Sequence, residues 1–306
     1  MAEQELSPSE RYARSKRANQ LQALDDFQSI LKFPLDDFQK RACEALAMGS
    51  SVLVAAPTGA GKTIVGEFGI HLAISRGEKV FYTTPIKALS NQKFAELTAR
   101  YGASKVGLLT GDNNNNSEAP IVVMTTEVLR NMIYADSPTL QNLGFVVMDE
   151  VHYLADRFRG PVWEEVILHL QRSTKLISLS ATVSNAEEFG AWLEEVRGQT
   201  EIIVSEHRPV PLTQHVLFND ELIPLFDDKG QTRVNQELMQ KHQNKLRQLP
   251  SRPTRGRRGH GGSSGGNRPE PRINRLSKPE IVEILDDADL DRKSTRLNSS
   301  HGYRSR

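Results

Sequence analysis

Seven short apolar runs, separated by stretches of helical periodicity, constrain the fold of this chain more than any other feature. They lie at residues 52–55, 80–83, 106–109, 121–124, 145–148, 176–179 and 202–204. Each run is continuous rather than alternating, the pattern of strands covered on both faces. The stretches at 62–75, 86–100, 126–134, 161–170 and 185–193 have the spacing of helices that could cover them. This alternation predicts an α/β domain over residues 33–206, a doubly wound parallel sheet with helices on both faces.

The flanking regions read differently. Ser7, Pro8 and Glu10 have the order of a helix cap. Leu21, Leu24, Phe27, Ile30 and Leu31 follow at helical spacing, so residues 1–32 are expected to be a helical segment. A second helix is expected at 36–48, ended by Gly49. Residues 207–250 read as a connector, with a strand near 211–218 and a polar helix at 234–249. Residues 251–276 carry seven Arg against one Glu among Gly and Ser, the composition of a disordered linker. Ordered structure is expected to resume near 281–285.

Composition excludes several classes. The net charge of +1 over 306 residues announces no nucleic-acid partner, because the basic excess is confined to 251–276. One cysteine, Cys43, allows neither an internal disulfide nor a Cys-based metal site. No apolar run approaches the roughly 18 residues that span a membrane, and the polar N-terminus is unlike a signal peptide. The expectation is a cytoplasmic protein with no membrane partner.

Two motifs carry chemistry. Ala56-Pro57-Thr58-Gly59-Ala60-Gly61-Lys62-Thr63 follows an expected strand and opens an expected helix. In that setting Thr58, Gly59, Ala60 and Gly61 turn backbone amides toward phosphates, and the helix N-terminus adds positive potential. Lys62 is then placed to reach the β- and γ-phosphates of ATP, and Thr63 to hold Mg²⁺. Ala56 stands where the generic pattern has its first glycine. The second motif, Met148-Asp149-Glu150-Val151-His152, ends an apolar strand. Ligands bind at such strand ends, with Asp149 as a second Mg²⁺ ligand and Glu150 orienting or deprotonating the attacking water. Alone, Asp-Glu after a strand is usually a solvated loop; beside a phosphate loop it points to nucleotide hydrolysis.

Taken together, residues 33–217 resemble the superfamily-two helicases, and within them the superkiller-type DEVH-box RNA helicases, motif by motif and in order. Phe33-Pro34-Leu35-Asp36-Asp37-Phe38-Gln39 resembles the adenine-recognition segment, which implies that Gln39 reads the adenine edge and Phe33 stacks on the base. Thr84-Pro85-Ile86-Lys87, Thr110-Gly111-Asp112 and Thr125-Thr126-Glu127-Val128-Leu129-Arg130 resemble the strand-contact motifs. The resemblance implies RNA contacts through Pro85, Lys87, Gly111, Thr125, Thr126 and Arg130, made to the backbone rather than to base edges. Ser180-Ala181-Thr182 resembles the motif that couples hydrolysis to strand movement. His207-Arg208-Pro209-Val210-Pro211-Leu212 resembles the exit from the first motor domain. Residues 221–226 and the Arg/Gly run are similar to cyanobacterial and plastid members.

The resemblance also implies a second motor domain, and no Gln-x-x-Gly-Arg-x-Gly-Arg pattern occurs in the 306 residues. Residues 277–306 are expected to be the truncated start of that domain, with a polar tail from about 291 that resembles translated adaptor-like sequence. The leading expectation is an ATP-dependent RNA helicase acting on RNA with a single-stranded region, nearly inactive without its second domain. A DNA-directed helicase or translocase, and a non-catalytic ATP- and RNA-binding module, stay open at this point.

Overall fold

The computed structural model describes residues 21–181, 185–208, 212–218, 220–227, 233–248 and 276–288. The Ser7 cap, Thr182, Pro209 to Pro211, residues 251–275 of the Arg/Gly run and the tail from 291 lie outside the described residues. The chain divides into two compact units, Met1–Val210 and Pro211–Arg306.

The first unit is built on eight strands: β1 Ser51–Ala55, β2 Lys79–Thr84, β3 Val106–Thr110, β4 Asn113–Asn115, β5 Ile121–Thr125, β6 Leu143–Met148, β7 Lys175–Ser180 and β8 Thr200–Val204. Their order across the sheet is β4-β3-β5-β2-β6-β7-β1-β8. Only β4 runs antiparallel to its neighbour; the other pairings are parallel. Helix α1 covers residues 21–30. It is followed by α2 Asp37–Ala47, α3 Thr63–Arg76, α4 Lys87–Tyr101, α5 Thr126–Tyr134, α6 Gly160–His169 and α7 Ala186–Arg197.

The continuous apolar runs are explained by two cores, one on each face. Strand residues contribute to them alternately. Val52, Val54, Val80, Tyr82, Phe145 and Val147 join Leu24, Phe27, Cys43, Leu46 and Phe68 on the side of α1–α4. Leu53, Phe81, Val146 and Met148 join Leu129, Trp163, Ile167 and Leu193 on the side of α5–α7. Helix α3 lies close against the sheet because Gly69 leaves room: a Cβ there would meet Ile177 Cδ1 at 2.1 Å. On the opposite face Arg197, at the end of α7, is buried and donates to the carbonyls of Ile167, Leu170, Gln171 and Thr174. It thereby closes the C-terminus of α6 and the turn into β7.

The structure departs from the expected pattern at three places. Ile30 was grouped with Leu24 and Phe27, yet it is 60% exposed while they are buried. Steps of three residues drift about 60° round a helix at 3.6 residues per turn, so Ile30 has walked off the packed face. Asn113–Asn115, outside the seven apolar runs, forms edge strand β4 against β3. After Glu150 the chain makes a 3-10 turn, Val151–Ala155, not anticipated between β6 and α6.

In the second unit β9 His215–Phe218 and β10 Glu221–Pro224 form an antiparallel hairpin. Helices α8 Gln236–Gln248 and α9 Lys278–Asp287 follow. A reciprocal capping box starts α9: Glu280 Oε2 accepts from Ser277 N at 2.6 Å, and Ser277 Oγ accepts from Glu280 N at 3.5 Å. Among the described residues no helix is long and apolar enough to cross a membrane.

Candidate functional site

Apart from Phe33 and Gln39, before and on α2, and Arg130 on α5, the motif residues of the first unit sit where parallel strands end, at one edge of the sheet. Strands β1, β7 and β6 run into the phosphate loop, Ser180-Ala181 and Asp149-Glu150 respectively; β2, β5 and β3 run into Pro85-Lys87, Thr125-Thr126 and Gly111. Sheet order therefore groups the nucleotide motifs on one half of the edge and the strand-contact motifs on the other, meeting at the β2–β6 pairing.

The phosphate loop is shaped by two glycines in the left-handed region, Gly59 at φ 86° and Gly61 at φ 82°. A Cβ on Gly61 would lie 2.7 Å from Gln39 Nε2, so that position requires glycine both for its backbone and for close approach. Among the described residues no protein acceptor bonds the N–H groups of Thr58, Gly59, Gly61, Lys62 or Thr63, whereas Ala60 N donates to Pro57 O at 3.2 Å. Those free donors ring the N-terminus of α3, an arrangement with the chemistry to hold an anion.

Lys62 Nζ curls over the loop and donates to Ala56 O at 2.7 Å and Pro57 O at 3.0 Å. Burial lowers its pKa, against the opposing pull of Glu150 and Asp149. Gln39 is buried, and its carboxamide ties α2 to the loop: Oε1 accepts from Asp36 N at 2.9 Å, and Nε2 donates to Gly61 O at 3.1 Å and Ala60 O at 3.4 Å. Phe33 is 51% exposed, with Leu31, Lys32, Leu35 and Lys40 around the same shallow cavity, so it is not a core residue.

Asp149 is held from two sides. Its Oδ2 accepts from the hydroxyl of Tyr82 at 2.8 Å, and its Oδ1 from Glu150 N at 3.0 Å. Tyr82 is fully buried on β2, and burial together with the Asp149 carboxylate pushes its hydroxyl pKa well up. Glu150 itself has left-handed backbone, φ 56° and ψ 43°. Burial first, and the Asp149 charge second, raise its carboxyl above the ordinary carboxylate range; His152 and Lys62 pull the other way. Its Oε2 lies 3.2 Å from His152 Nδ1, but the two atoms are not aligned for a hydrogen bond, so we treat the contact as electrostatic only. Thr63, Asp149 and Glu150 border a cavity of about 330 Å³ shared with Glu67, Lys93 and Glu96. A larger apolar cavity of about 720 Å³ opens between the 3-10 turn and α7, lined by Val151, Phe189 and Trp192, away from the free loop amides.

On the other half of the edge, Lys87 pairs with Asp112 at 2.9 Å, and Asp112 also accepts from Thr110 Oγ1 at 3.0 Å. Thr126 Oγ1 donates to Thr84 O at 3.5 Å, joining the ends of β5 and β2. Arg130 lies one turn down α5, 3.7 Å from Glu165 on α6. Ser180 is buried and its carbonyl accepts from Ala56 N at 3.1 Å, so the coupling motif touches the phosphate loop directly; Thr182 is outside the described residues.

Sequence reasoning missed Tyr82, Asp156 and Arg159. For Tyr82 a signal existed, since a tyrosine inside a buried strand needs a partner for its hydroxyl. Arg159, whose Nη1 donates to Pro85 O at 3.1 Å, joins the segment after Glu150 to the strand-contact loop and had no local signal.

A family model described as DEAD/DEAH box helicase matches residues 36–189. The probable helicase HelY of Mycobacterium tuberculosis is 64% identical over 225 residues, which cover 72% of this chain and 25% of that protein. The DExH-box ATP-dependent RNA helicase DExH15, chloroplastic, of Arabidopsis thaliana is 48% identical over 221 residues, 70% of this chain and 19% of that one. The solved structure of the DUF1998 helicase MrfA bound to DNA and AMPPNP superposes with a TM-score of 0.51 at 21% identity. It covers 63% of this chain and 29% of that chain, a likeness of fold alone. The chain thus spans a quarter or less of the length of these two sequence relatives.

Proposed function

The chain belongs to the DEAD/DEAH box helicase family, in its superkiller-type DEVH-box branch, and from that membership we propose that residues 33–206 are the first motor domain of an ATP-dependent RNA helicase. The observation that carries the reading is the single sheet edge on which a ring of unpaired loop amides and two carboxylates adjoin the strand-contact motifs.

In this reading the amides of Thr58, Gly59, Gly61, Lys62 and Thr63 bind phosphate oxygens. Lys62 exchanges the carbonyls of Ala56 and Pro57 for the β- and γ-phosphates. Ala60 keeps the loop turn closed through its bond to Pro57. Thr63 and Asp149 supply the protein oxygens for Mg²⁺, and the residues fit that ion: a hydroxyl and a carboxylate beside a small polar cavity. When bound there, the ion would supply positive charge against the phosphates. Glu150 positions the attacking water and takes up its proton. Phe33 offers an exposed ring to the adenine, and Gln39 accepts from the adenine amino group through the second lone pair of Oε1. Pro85, Lys87, Gly111, Thr125, Thr126 and Arg130 hold the nucleic-acid backbone, while Ser180 and Ala181, with Thr182, relay between the halves.

Backbone contacts of this kind do not separate RNA from DNA. RNA is favoured by the likeness to a named RNA helicase. Phosphate release stimulated by RNA and by DNA, compared in a form that includes a second motor domain, decides between them.

The nucleotide site is tested by Lys62→Ala in the chain itself. Calorimetric binding of Mg²⁺–ATP should fall by at least tenfold while circular dichroism and the melting temperature stay near those of the parent. Unchanged affinity in the folded variant would place the phosphates elsewhere.

A further inference from the structure

Residues 156–159, Asp-Arg-Phe-Arg, form an exposed turn that none of the strand-contact motifs includes. Phe158 is 85% exposed, more than any other large apolar residue described. A single exposed apolar side chain is ordinary on a protein surface. Phe158 is set apart by how firmly its backbone is held and by where it is held.

Asp156 Oδ1 accepts from both Phe158 N and Arg159 N at 2.9 Å, and Asp156 O accepts from Gly160 N at 2.7 Å. Gly160 is locked against the preceding 3-10 turn, where a Cβ would meet Leu154 O at 2.2 Å. Arg159 then ties the turn to Pro85 O.

Position follows from helix register. Arg130 of α5 pairs with Glu165 of α6, and Tyr134 packs on His169, so both contacts are offset by 35 residues and the two helices run parallel. Extending that offset puts Gly160, the start of α6, level with Thr125. The turn therefore stands just beyond the N-terminus of α5, at the part of the sheet edge that carries Pro85, Thr125 and Thr126. A solvent-facing ring on a hydrogen-bonded backbone turn, followed by Arg159 and preceded by the exposed Arg157, has the chemistry of a base platform. Aromatic stacking holds a base of any identity, and an adjacent arginine holds its phosphate. A protein partner would call for a broader apolar patch than one ring flanked by two guanidinium groups.

We infer that Phe158 is a stacking platform for a base of the bound single strand, with Arg157 beside it for phosphate. This rests on the strand-binding reading of the same edge and extends its path past the start of α5.

The test uses the 306-residue chain and fluorescence anisotropy with a labelled ten-nucleotide RNA, the same DNA sequence, and a matched RNA whose bases are replaced by abasic sites. Phe158→Ala should weaken binding to the intact strands about five- to tenfold, as loss of one stacked base does. Phe158→Trp should retain the parent's affinity. On the abasic strand, parent and Phe158→Ala should bind alike, because no base remains to stack. Lys87→Ala, run in parallel, should weaken intact and abasic strands equally and so reports the underlying strand-binding reading. If Lys87→Ala weakens binding but Phe158→Ala binds the intact strand like the parent, strand binding stands and the platform is overturned. Equal loss on intact and abasic strands with Phe158→Ala also overturns it, since the ring would then act on the fold or on phosphates. If the parent binds none of the strands, both readings fail.

Discussion

Tyr82 and Asp149 are the most informative pair of side chains in the molecule. The tyrosine hydroxyl, buried on β2, fixes one oxygen of a carboxylate that enters from β6, leaving the other to the amide of Glu150. A carboxylate pinned in this way has little freedom to swing between metal-binding and solvent-facing rotamers. Tyr82→Phe keeps the ring and removes only the hydroxyl, so its cost to stability should be about 1.5–3 kcal/mol, the net worth of a bond to a carboxylate. The half-saturating Mg²⁺ concentration for ATP binding should rise several-fold, while nucleotide affinity in excess chelator stays at the parent's level. A purely structural role would move both affinities together, and calorimetric titration with and without Mg²⁺ separates the two. At this scale Lys62, Asp149 and Glu150, which the sequence singles out by residue type and setting, lie close to one another in the fold. For Tyr82 the signal was only general: a buried tyrosine needs a hydroxyl partner, but nothing in an apolar strand says which, and here the partner is Asp149 at the end of another strand.

Among the elements, the helices and strands of the first unit follow the periodicity closely because covered parallel strands and amphipathic covers leave strong, distinct patterns. What was not legible were elements fixed by pairing or packing rather than by an apolar period of their own. Strand β4, three asparagines, exists through pairing with β3 and has no apolar signature. The 3-10 turn after Glu150 depends on packing against α6. The end of α6 is the clearest case, since its carbonyls are closed by Arg197, a residue 27 positions later than Leu170. Among the described residues no carboxylate accompanies this guanidinium in its hydrogen bonds; its planar fork serves four carbonyls. Lysine cannot reproduce that geometry, so Arg197→Lys should cost about 1–3 kcal/mol, and Arg197→Met more, because it leaves buried carbonyls unpaired. For a domain of this size each kcal/mol is roughly 2–4 °C in melting temperature. Thermal melts of the two variants should rank Lys above Met, and equal melting of all three proteins would remove the structural role given to this residue.

For the whole molecule, one edge of one sheet holds both sets of motifs, and the β2–β6 junction is where they touch. In the proposed reading the edge supplies phosphate donors, carboxylates for metal and water, and strand contacts. The arginines that would meet charge developing on the transferred phosphoryl belong, in the proposed reading, to a second motor domain. Such a residue is worth about 10³–10⁵ in rate in related systems, or roughly 4–7 kcal/mol of barrier. The chain alone should therefore bind ATP and release phosphate at least a thousandfold more slowly than a fusion to a second motor domain of the family. RNA should stimulate only the fusion. In the fusion, the acid limb of turnover should lie above the ordinary carboxylate range, because the Glu150 carboxyl is raised, and Glu150→Gln should abolish turnover. Steady-state phosphate release across pH measures all three, and robust RNA-stimulated turnover by the unfused chain would show that the two-domain account is wrong. The backbone of Glu150 has one further consequence. A non-glycine residue at φ 56° pays about 1 kcal/mol relative to relaxed backbone. Its carboxyl pKa is higher in the folded state than in the unfolded chain, so stability falls as pH rises through the interval between the two. Both terms have the same sign at neutral pH, and glycine would relieve them together. Position 150 is thus one at which thermal endurance and proposed chemistry demand opposite residues, and a search for heat-resistant variants that ignored turnover would discard the glutamate among its first changes.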